Sequence, residues 1–140
     1  MDYLPFFVYG TLKRGEPNYV RYLTGQTASE QAASLPGAAL FTAGPYPFLV
    51  REPDLVAPTA VVVGELVSLR LAVYQLVLAD LDRLEGYVPG GSHNLYERLI
   101  TTVTTADGPR EAWVYVAGAA TLAQIRAGQL HHIPSGNWGG

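Results

Sequence analysis

The sequence predicts an α+β domain with a barrel-like mixed sheet. Short runs rich in Val, Thr, Ile and Tyr, typical of strands, lie on both sides of one long segment with helical periodicity. No internal repeat or low-complexity segment interrupts this order. Because 140 residues suffice for one hydrophobic core but not for two, we expect a single domain over residues 1–140.

The N-terminal part of the chain is predicted to begin with a buried strand at residues 4–10. This run, LPFFVYG, is apolar and aromatic and ends in glycine. After a loop, Pro17 suits the first position of a short helix. Tyr19, Val20 and Leu23 would share one face of that helix.

The middle and the C-terminal half of the chain supply the other strands. Glycine and proline divide residues 32–51 into short strands joined by tight turns. The valine-rich residues 59–69 form a strand in which Gly64 marks a bulge or bend. Residues 96–105 and 110–117 alternate in polarity around an Ala-Asp-Gly-Pro sequence, which predicts a hairpin.

The main helix is predicted over residues 72–84. Its apolar side chains recur at helical spacing: Val73, Val77, Leu81 and Leu84. The tail beyond residue 128 is rich in glycine and contains Pro134, so we expect it to be irregular.

Composition and charge exclude several classes of protein. Hydrophobic residues make up 49% and charged residues 15% of the chain, which excludes intrinsic disorder. A net charge of −3 with dispersed basic residues argues against binding to nucleic acid or to an anionic membrane. The absence of cysteine removes disulfides, zinc thiolate sites and cysteine nucleophiles.

The sequence also predicts a soluble protein in the cytoplasm. No apolar stretch approaches the roughly 18 residues that a membrane-spanning helix requires. The N-terminal residues Met1, Asp2, Tyr3, Leu4 and Pro5 lack the basic start and apolar run of a signal peptide. We therefore expect no contact with a membrane.

Glu85 is a carboxylate on the apolar side of the predicted helix. Projected at about 100° per residue, it falls inside the apolar arc, four residues after Leu81. Gly86 ends the helix, so Glu85 lies in the last turn, at the negative end of the helix dipole. Desolvation and the dipole would both raise the pKa of the Glu85 carboxyl, as a general base or acid near neutral pH requires.

A second interpretation of Glu85 stays open at this point. The helix would fray before Gly86 and leave Glu85 as an exposed cap residue, or as the partner of an arginine such as Arg98. Charged residues at or beyond the edges of the apolar arc are interpreted as a solvated face: Asp80, Asp82 and Arg83.

The four residues Tyr9, Gly10, Thr11 and Leu12 form a candidate binding loop where the first strand ends. Gly10 allows backbone amides to approach a ligand closely, so the loop could hold a carboxylate. The alternative is an ordinary turn at the end of a strand. A nucleotide-binding P-loop is excluded, because its glycine spacing continues here into Glu and Pro instead of Lys and Ser or Thr.

Other polar residues give weaker signals. The three histidines, His93, His131 and His132, lack the spacing of metal ligands, so no metal site is predicted. Arg98 is interpreted as part of a surface or structural ion pair and placed outside the site. Tyr96 lies on a predicted strand, as does Tyr115, and strand tyrosines more often pack in a core than bind substrate.

Two sequence motifs resemble the gamma-glutamylcyclotransferase-like superfamily. They are residues 8–18 (VYGTLKRGEPN) and residues 81–87 (LDRLEGY). The continuation Lys-Arg-Gly-x-Pro-Asn is most similar to the branch of gamma-glutamylamine cyclotransferase, the butirosin-pathway cyclotransferase and the plant avirulence-induced proteins. The resemblance extends over nearly the whole chain. In the tail, Asn137 stands where relatives often have Asp, a departure with no expected effect on the chemistry.

The resemblance implies a compact mixed β-barrel with flanking helices and no cofactor. It implies that residues 9–12 hold the substrate and that Glu85 is the catalytic general acid/base. The implied reaction converts a gamma-glutamyl amide to 5-oxoproline and a free amine by attack of the α-amine on the γ-carbonyl.

A second hypothesis is a non-enzymatic module that binds a small molecule on the same fold. The expected partner in either case is a small molecule. The tail and the proline-rich middle are compatible with a homodimer.

Overall fold

The computed structural model describes residues 3–139 and has the predicted α+β class. Met1 and Asp2, which contributed to the signal-peptide argument, lie outside the described residues, as does Gly140. The strands within residues 3–139 are β1 (Phe6–Val8), β2 (Thr27–Pro36), β3 (Ala39–Thr42), β4 (Pro47–Val50), β5 (Val61–Leu69), β6 (Tyr96–Thr105), β7 (Gly108–Ala117) and β8 (His131–Ile133).

Five strands close into a barrel in the order β1-β5-β2-β6-β7. Neighbouring strands are antiparallel except β1 and β7, which run parallel and close the barrel through the pair Phe6 and Trp113. Strands β6 and β7 form the predicted hairpin, with only residues 106–107 between them. The barrel-like mixed sheet predicted from the sequence is therefore confirmed.

The remaining strands form a second sheet in the order β4-β3-β8. Strand β8 lies in the tail, where we expected no regular structure, so that expectation is wrong. It pairs antiparallel with β3, with Ile133 opposite Leu40 and His132 opposite Phe41. Pairing with a partner distant in sequence stabilises this short strand, and no local pattern in the tail indicates it.

The predicted short helix exists, but as a π-helix at Tyr19–Leu23 that follows Pro17 and Asn18. The backbone N–H of Thr24 donates to the carbonyl of Tyr19 at 3.1 Å, a bond that spans five residues. This wider turn rotates Val20 out of the buried face, and its side chain is 63% exposed. Leu23 is buried, so the prediction that Val20 shares a face with Leu23 is wrong.

The main helix, α1 (Tyr74–Leu84), follows a 3₁₀ turn at Leu71–Val73. A second α-helix, α2 (Ala119–Arg126), was not predicted. Its sequence, AATLAQIR, has only two large apolar side chains, Leu122 and Ile125, and therefore does not show the periodicity of α1. Within residues 3–139, no helix is long and apolar enough to cross a membrane.

Gly64 does not mark a bulge in β5. The irregularity in the register lies on the facing strand, between Thr27 and Ser29. Gly64 instead allows close packing, because a Cβ on it would lie 2.3 Å from the backbone oxygen of Val8. A side chain at this position would separate β1 from β5.

The core consists of two clusters, because successive side chains along the barrel strands point to opposite faces. One of these clusters lies next to the candidate site. On β7, Val114 belongs to a cluster with Phe7 and Leu66 from the other barrel strands. Its neighbour Tyr115 packs in the other cluster with Phe6 and residues of both α-helices. Side chains of this second cluster therefore lie between the barrel wall and the helix that carries Glu85.

Candidate active site

A cavity of about 170 Å³ lies between the loop that follows β1, the end of α1 and the strands β6 and β7. All five candidate site residues line it: Tyr9, Gly10, Thr11, Leu12 and Glu85. Tyr96 and Tyr115, for which the sequence left two roles open, line it as well. The fold thus brings together two motifs that are separated by more than 60 residues in the sequence.

Glu85 is fixed by a regular helix end. The N–H of Gly86, a residue with φ of +68°, donates to the carbonyl of Arg83 at 3.2 Å. The N–H of Tyr87 donates to the carbonyl of Asp82 at 2.9 Å. These two bonds form a Schellman motif with Glu85 as the C-cap residue. The helix therefore does not fray before Gly86, and the alternative of a frayed end is wrong.

The carboxyl group of Glu85 is partly removed from water and has no ionic partner in the described part of the chain. The residue is half-buried, and no hydrogen bond or ion pair within residues 3–139 reaches its side chain. Desolvation by burial raises the pKa of Glu85 from 4.5 to about 7. No lysine or arginine of the described chain lines the cavity. A carboxyl group with this pKa can both accept and release a proton near neutral pH.

Arg98 pairs with Asp82 and not with Glu85. The Arg98 Nε lies 2.9 Å from the Asp82 Oδ1, with side chains only 11% and 15% exposed. The guanidinium also lies over the ring of Trp113, 4.2 Å from its centroid. The interpretation of Asp82 as a solvated residue is therefore wrong, whereas that of Arg98 as half of a structural ion pair is confirmed. Strands β6 and β7 cover this flank of α1, which a helical projection does not show.

The loop after β1 has backbone N–H groups available to a ligand. A turn bond from the N–H of Lys13 to the carbonyl of Gly10, 3.0 Å long, holds the loop. Within the described chain, the backbone N–H groups of Thr11 and Leu12 donate a hydrogen bond to no protein acceptor. Unpaired N–H groups beside a cavity suit a carboxylate or a developing oxyanion.

The Tyr9 side chain supports the site from within the core. Its phenol donates to the backbone oxygen of Tyr115 at 2.6 Å and accepts from the N–H of Leu49 at 3.3 Å. Burial, with a smaller contribution from the charge of Glu85, raises the pKa of Tyr9 well above its usual value. Both polar functions of the phenol are used inside the protein, so the Tyr9 side chain connects β1, β4 and β7.

Contacts from the tail hold the candidate binding loop and the residues that follow it. The ammonium of Lys13 donates to the Asn137 Oδ1 at 2.9 Å and to the backbone oxygen of Trp138 at 2.6 Å. The indole N–H of Trp138 donates to the Glu16 carboxylate at 3.3 Å. Sequence reasoning missed these contacts, although the polar residues of both segments were visible. Only the fold shows that residues 124 positions apart are neighbours.

Sequence reasoning also missed the residues that complete the cavity wall. Pro47 is the first residue of β4 and Tyr46 directly precedes it, and Leu95 directly precedes β6. The side chains of Tyr46 and Leu95 are 39% and 41% exposed. No motif distinguishes these residues from other apolar positions near turns.

A closed barrel with one desolvated carboxyl group and free backbone N–H groups at a small cavity is typical of an acid–base enzyme that acts on a small molecule. The chain belongs to the gamma-glutamyl cyclotransferase, AIG2-like family, whose sequence profile matches residues 6–140. The family resemblance seen in the sequence is therefore confirmed.

Relatives of known name agree with this family. The chain is 36% identical over 111 residues to the gamma-L-glutamyl-butirosin B gamma-glutamyl cyclotransferase of Niallia circulans, covering 79% of this chain and 64% of that relative. The crystal structure of an AIG2-like protein from Mus musculus is 25% identical, with a TM-score of 0.62 over 82% of this chain and 77% of that one.

A third similarity concerns the fold alone. YkqA from Bacillus subtilis superposes with a TM-score of 0.63 at 24% identity, over 96% of this chain. This chain spans only 39% of YkqA, just as it spans less than two thirds of the butirosin cyclotransferase.

Proposed function

We propose that this protein is a gamma-glutamyl cyclotransferase that converts a gamma-glutamyl amide to 5-oxoproline and a free amine. The observation that carries the proposal is Glu85, which lines the cavity, has no side-chain partner among residues 3–139, and has its pKa raised to about 7 by desolvation. The family match over residues 6–140 supports the same reaction class.

The reaction is an intramolecular acyl transfer. The α-amine nitrogen attacks the γ-carbonyl carbon, and a new C–N bond closes a five-membered ring. Glu85 takes a proton from the attacking nitrogen and delivers one to the departing nitrogen as the original amide C–N bond breaks. Protons and electrons balance without water or a redox partner. Proton transfer of this kind contributes about 10²–10⁴-fold to the rate.

The loop of Tyr9, Gly10, Thr11 and Leu12 binds the glutamyl group in this proposal. The N–H groups of Thr11 and Leu12 would hold the substrate carboxylate or the oxyanion that develops on the γ-carbonyl oxygen. Since nucleophile and electrophile belong to one molecule, the cavity mainly has to fold the substrate so that its reacting atoms meet. The proposal requires no cofactor.

The proposal extends to the ligand, the cellular location and the oligomeric state of the protein. A small gamma-glutamyl compound is the only ligand that the reaction needs, and we propose that the protein acts in the cytoplasm. A homodimer would be compatible with this chemistry without being required by it.

The test is the release of 5-oxoproline from a panel of gamma-glutamyl amides that differ in the leaving amine. The wild type should form product from at least one of them, and Glu85→Gln should lose at least about 100-fold in kcat. Glu111→Gln is the matched control, because it makes the same substitution at an exposed position of β7 and should keep full activity.

A folded wild type that releases no product from any amide would favour the non-enzymatic binding module. Equal rates for wild type and Glu85→Gln would remove Glu85 from the mechanism.

A further inference from the structure

Two tyrosines that line the cavity have phenol protons already committed to the protein. The phenol of Tyr96 donates to the backbone oxygen of Pro47 at 2.7 Å. The phenol of Tyr115 donates to the Asp82 Oδ1 at 2.7 Å. A carbonyl or carboxylate oxygen can only accept, so in both bonds the hydrogen must come from the phenol. Each phenol oxygen can therefore offer a ligand only its lone pairs.

Asp82 makes Tyr115 the stronger of the two acceptors. The Asp82 carboxylate accepts two hydrogen bonds from Arg98, from Nε to Oδ1 at 2.9 Å and from Nη2 to Oδ2 at 3.3 Å. A phenol that donates to a carboxylate gains negative charge on its own oxygen, since linked hydrogen bonds polarise one another. Arg98 holds the Asp82 carboxylate in place against β6.

The cavity thus has two kinds of polar group. The free N–H groups of Thr11 and Leu12 are donors, whereas Tyr115, whose phenol oxygen can only accept, lines the same cavity as Glu85. A gamma-glutamyl substrate carries the matching pair at its α-carbon, a carboxylate and an ammonium. An acceptor next to a general base is where an ammonium that must lose a proton should bind.

We propose that the phenol oxygen of Tyr115 accepts a hydrogen bond from the α-ammonium of the substrate, and that Asp82 is a positioning residue that orients this phenol by taking its proton. The inference rests on the proposed function and adds the group that directs the nucleophile toward Glu85. It also gives the Asp82–Arg98 ion pair a role beyond joining α1 to the barrel.

The experiment compares two small ligands that differ only in the ammonium group. L-Glutamate carries it and glutarate lacks it, and neither has an amide to cleave. Calorimetric titration gives Kd for both with wild type, Tyr115→Phe and Tyr74→Phe. Tyr74 is the matched control, because its phenol is also held inside the protein, by the backbone oxygen of Leu4 at 2.7 Å, but does not line the cavity.

Wild type and Tyr74→Phe should bind L-glutamate more tightly than glutarate. In Tyr115→Phe this preference should fall by about 10-fold or more, the usual effect of losing one hydrogen bond to a charged group, while the Kd of glutarate stays unchanged. Asp82→Ala should reduce the preference similarly, and the Asp82→Ala, Tyr115→Phe double variant should reduce it no further than Tyr115→Phe does.

An unchanged preference in Tyr115→Phe, or a wild type that does not distinguish the two ligands, would overturn the inference. The Tyr115→Phe result decides the matter even if Asp82→Ala does not fold. Release of 5-oxoproline by the wild type is measured separately. Product formation with an unchanged preference would contradict the subsite alone, whereas its absence from every amide would contradict the proposed function.

Discussion

Gly10 lies directly against Pro47, so closely that a Cβ on Gly10 would stand 2.7 Å from the Cγ of the proline ring. Gly10 belongs to the candidate binding loop and Pro47 to the start of β4, and both residues line the cavity. The need for glycine here is therefore steric, because the second sheet packs onto the loop that would hold the substrate.

Gly10→Ala should displace the loop from Pro47. We expect a loss of about 1–3 kcal/mol in the free energy of unfolding, as in other overpacked sites, and an increased KM. Urea denaturation and steady-state kinetics measure the two effects. The double variant Gly10→Ala, Pro47→Ala should lose less than the sum of the two single variants, because the added methyl then has room. A stability loss in the double variant equal to the sum of the two single losses would contradict the contact between Gly10 and Pro47.

The contact between Lys13 and Asn137 should respond to charge. Asn137→Asp replaces a neutral acceptor of the Lys13 ammonium with an ionic one, and we expect a gain of about 0.2–1 kcal/mol in stability. Thermal unfolding at low salt measures this gain. In a Lys13→Met background the same substitution should give no gain, and an equal gain there would show that the stabilisation has another origin.

The ion pairs of Arg98 and Arg83 should contribute very different amounts to the stability of the protein. Arg98→Ala would leave the Asp82 carboxylate largely buried without its cationic partner, and we expect a loss of about 3–5 kcal/mol in the free energy of unfolding. Arg83, whose side chain is 70% exposed, pairs with Asp80 on the surface of α1, so Arg83→Ala should cost less than about 1 kcal/mol. Urea denaturation of both variants compares them. Similar losses would contradict the structural role of the Asp82–Arg98 pair.

Glu85 should make the stability of the protein dependent on pH. The unfolded chain releases the Glu85 proton near pH 4.5 and the folded chain near pH 7, so the folded state binds more protons between these values. Its stability must therefore fall as pH rises through this interval. Relative to wild type, Glu85→Gln should gain up to about 3 kcal/mol between pH 4.5 and pH 8. A constant difference between the two proteins across this range would contradict the raised pKa.

Sequence patterns predicted the parts of the structure that depend on local periodicity. The hairpin of β6 and β7, the helix α1 and the inward position of Glu85 all follow from the alternation or helical spacing of apolar residues. Gly86 indicated the helix end correctly, because a residue at φ of +68° favours glycine.

The errors arose where contacts distant in sequence decide the structure. Asp82 lies at the edge of the apolar arc, and only the arrival of Arg98 from β6 makes a buried charge acceptable there. Strand β8 is stabilised by β3, and the wide turn of the π-helix exposes Val20. The pattern of α2 was too weakly amphipathic to be recognised.

The central claim is that Glu85 transfers the protons of an intramolecular cyclisation. The most direct measurement is the rate of 5-oxoproline release from a gamma-glutamyl amide between pH 5 and pH 9, for wild type and Glu85→Gln. We predict that kcat/KM of the wild type rises with pH through a midpoint of about 7, as the carboxyl group ionises to act as a base, and that Glu85→Gln is at least about 100-fold slower. A folded Glu85→Gln variant with the rate and pH profile of the wild type would contradict the claim.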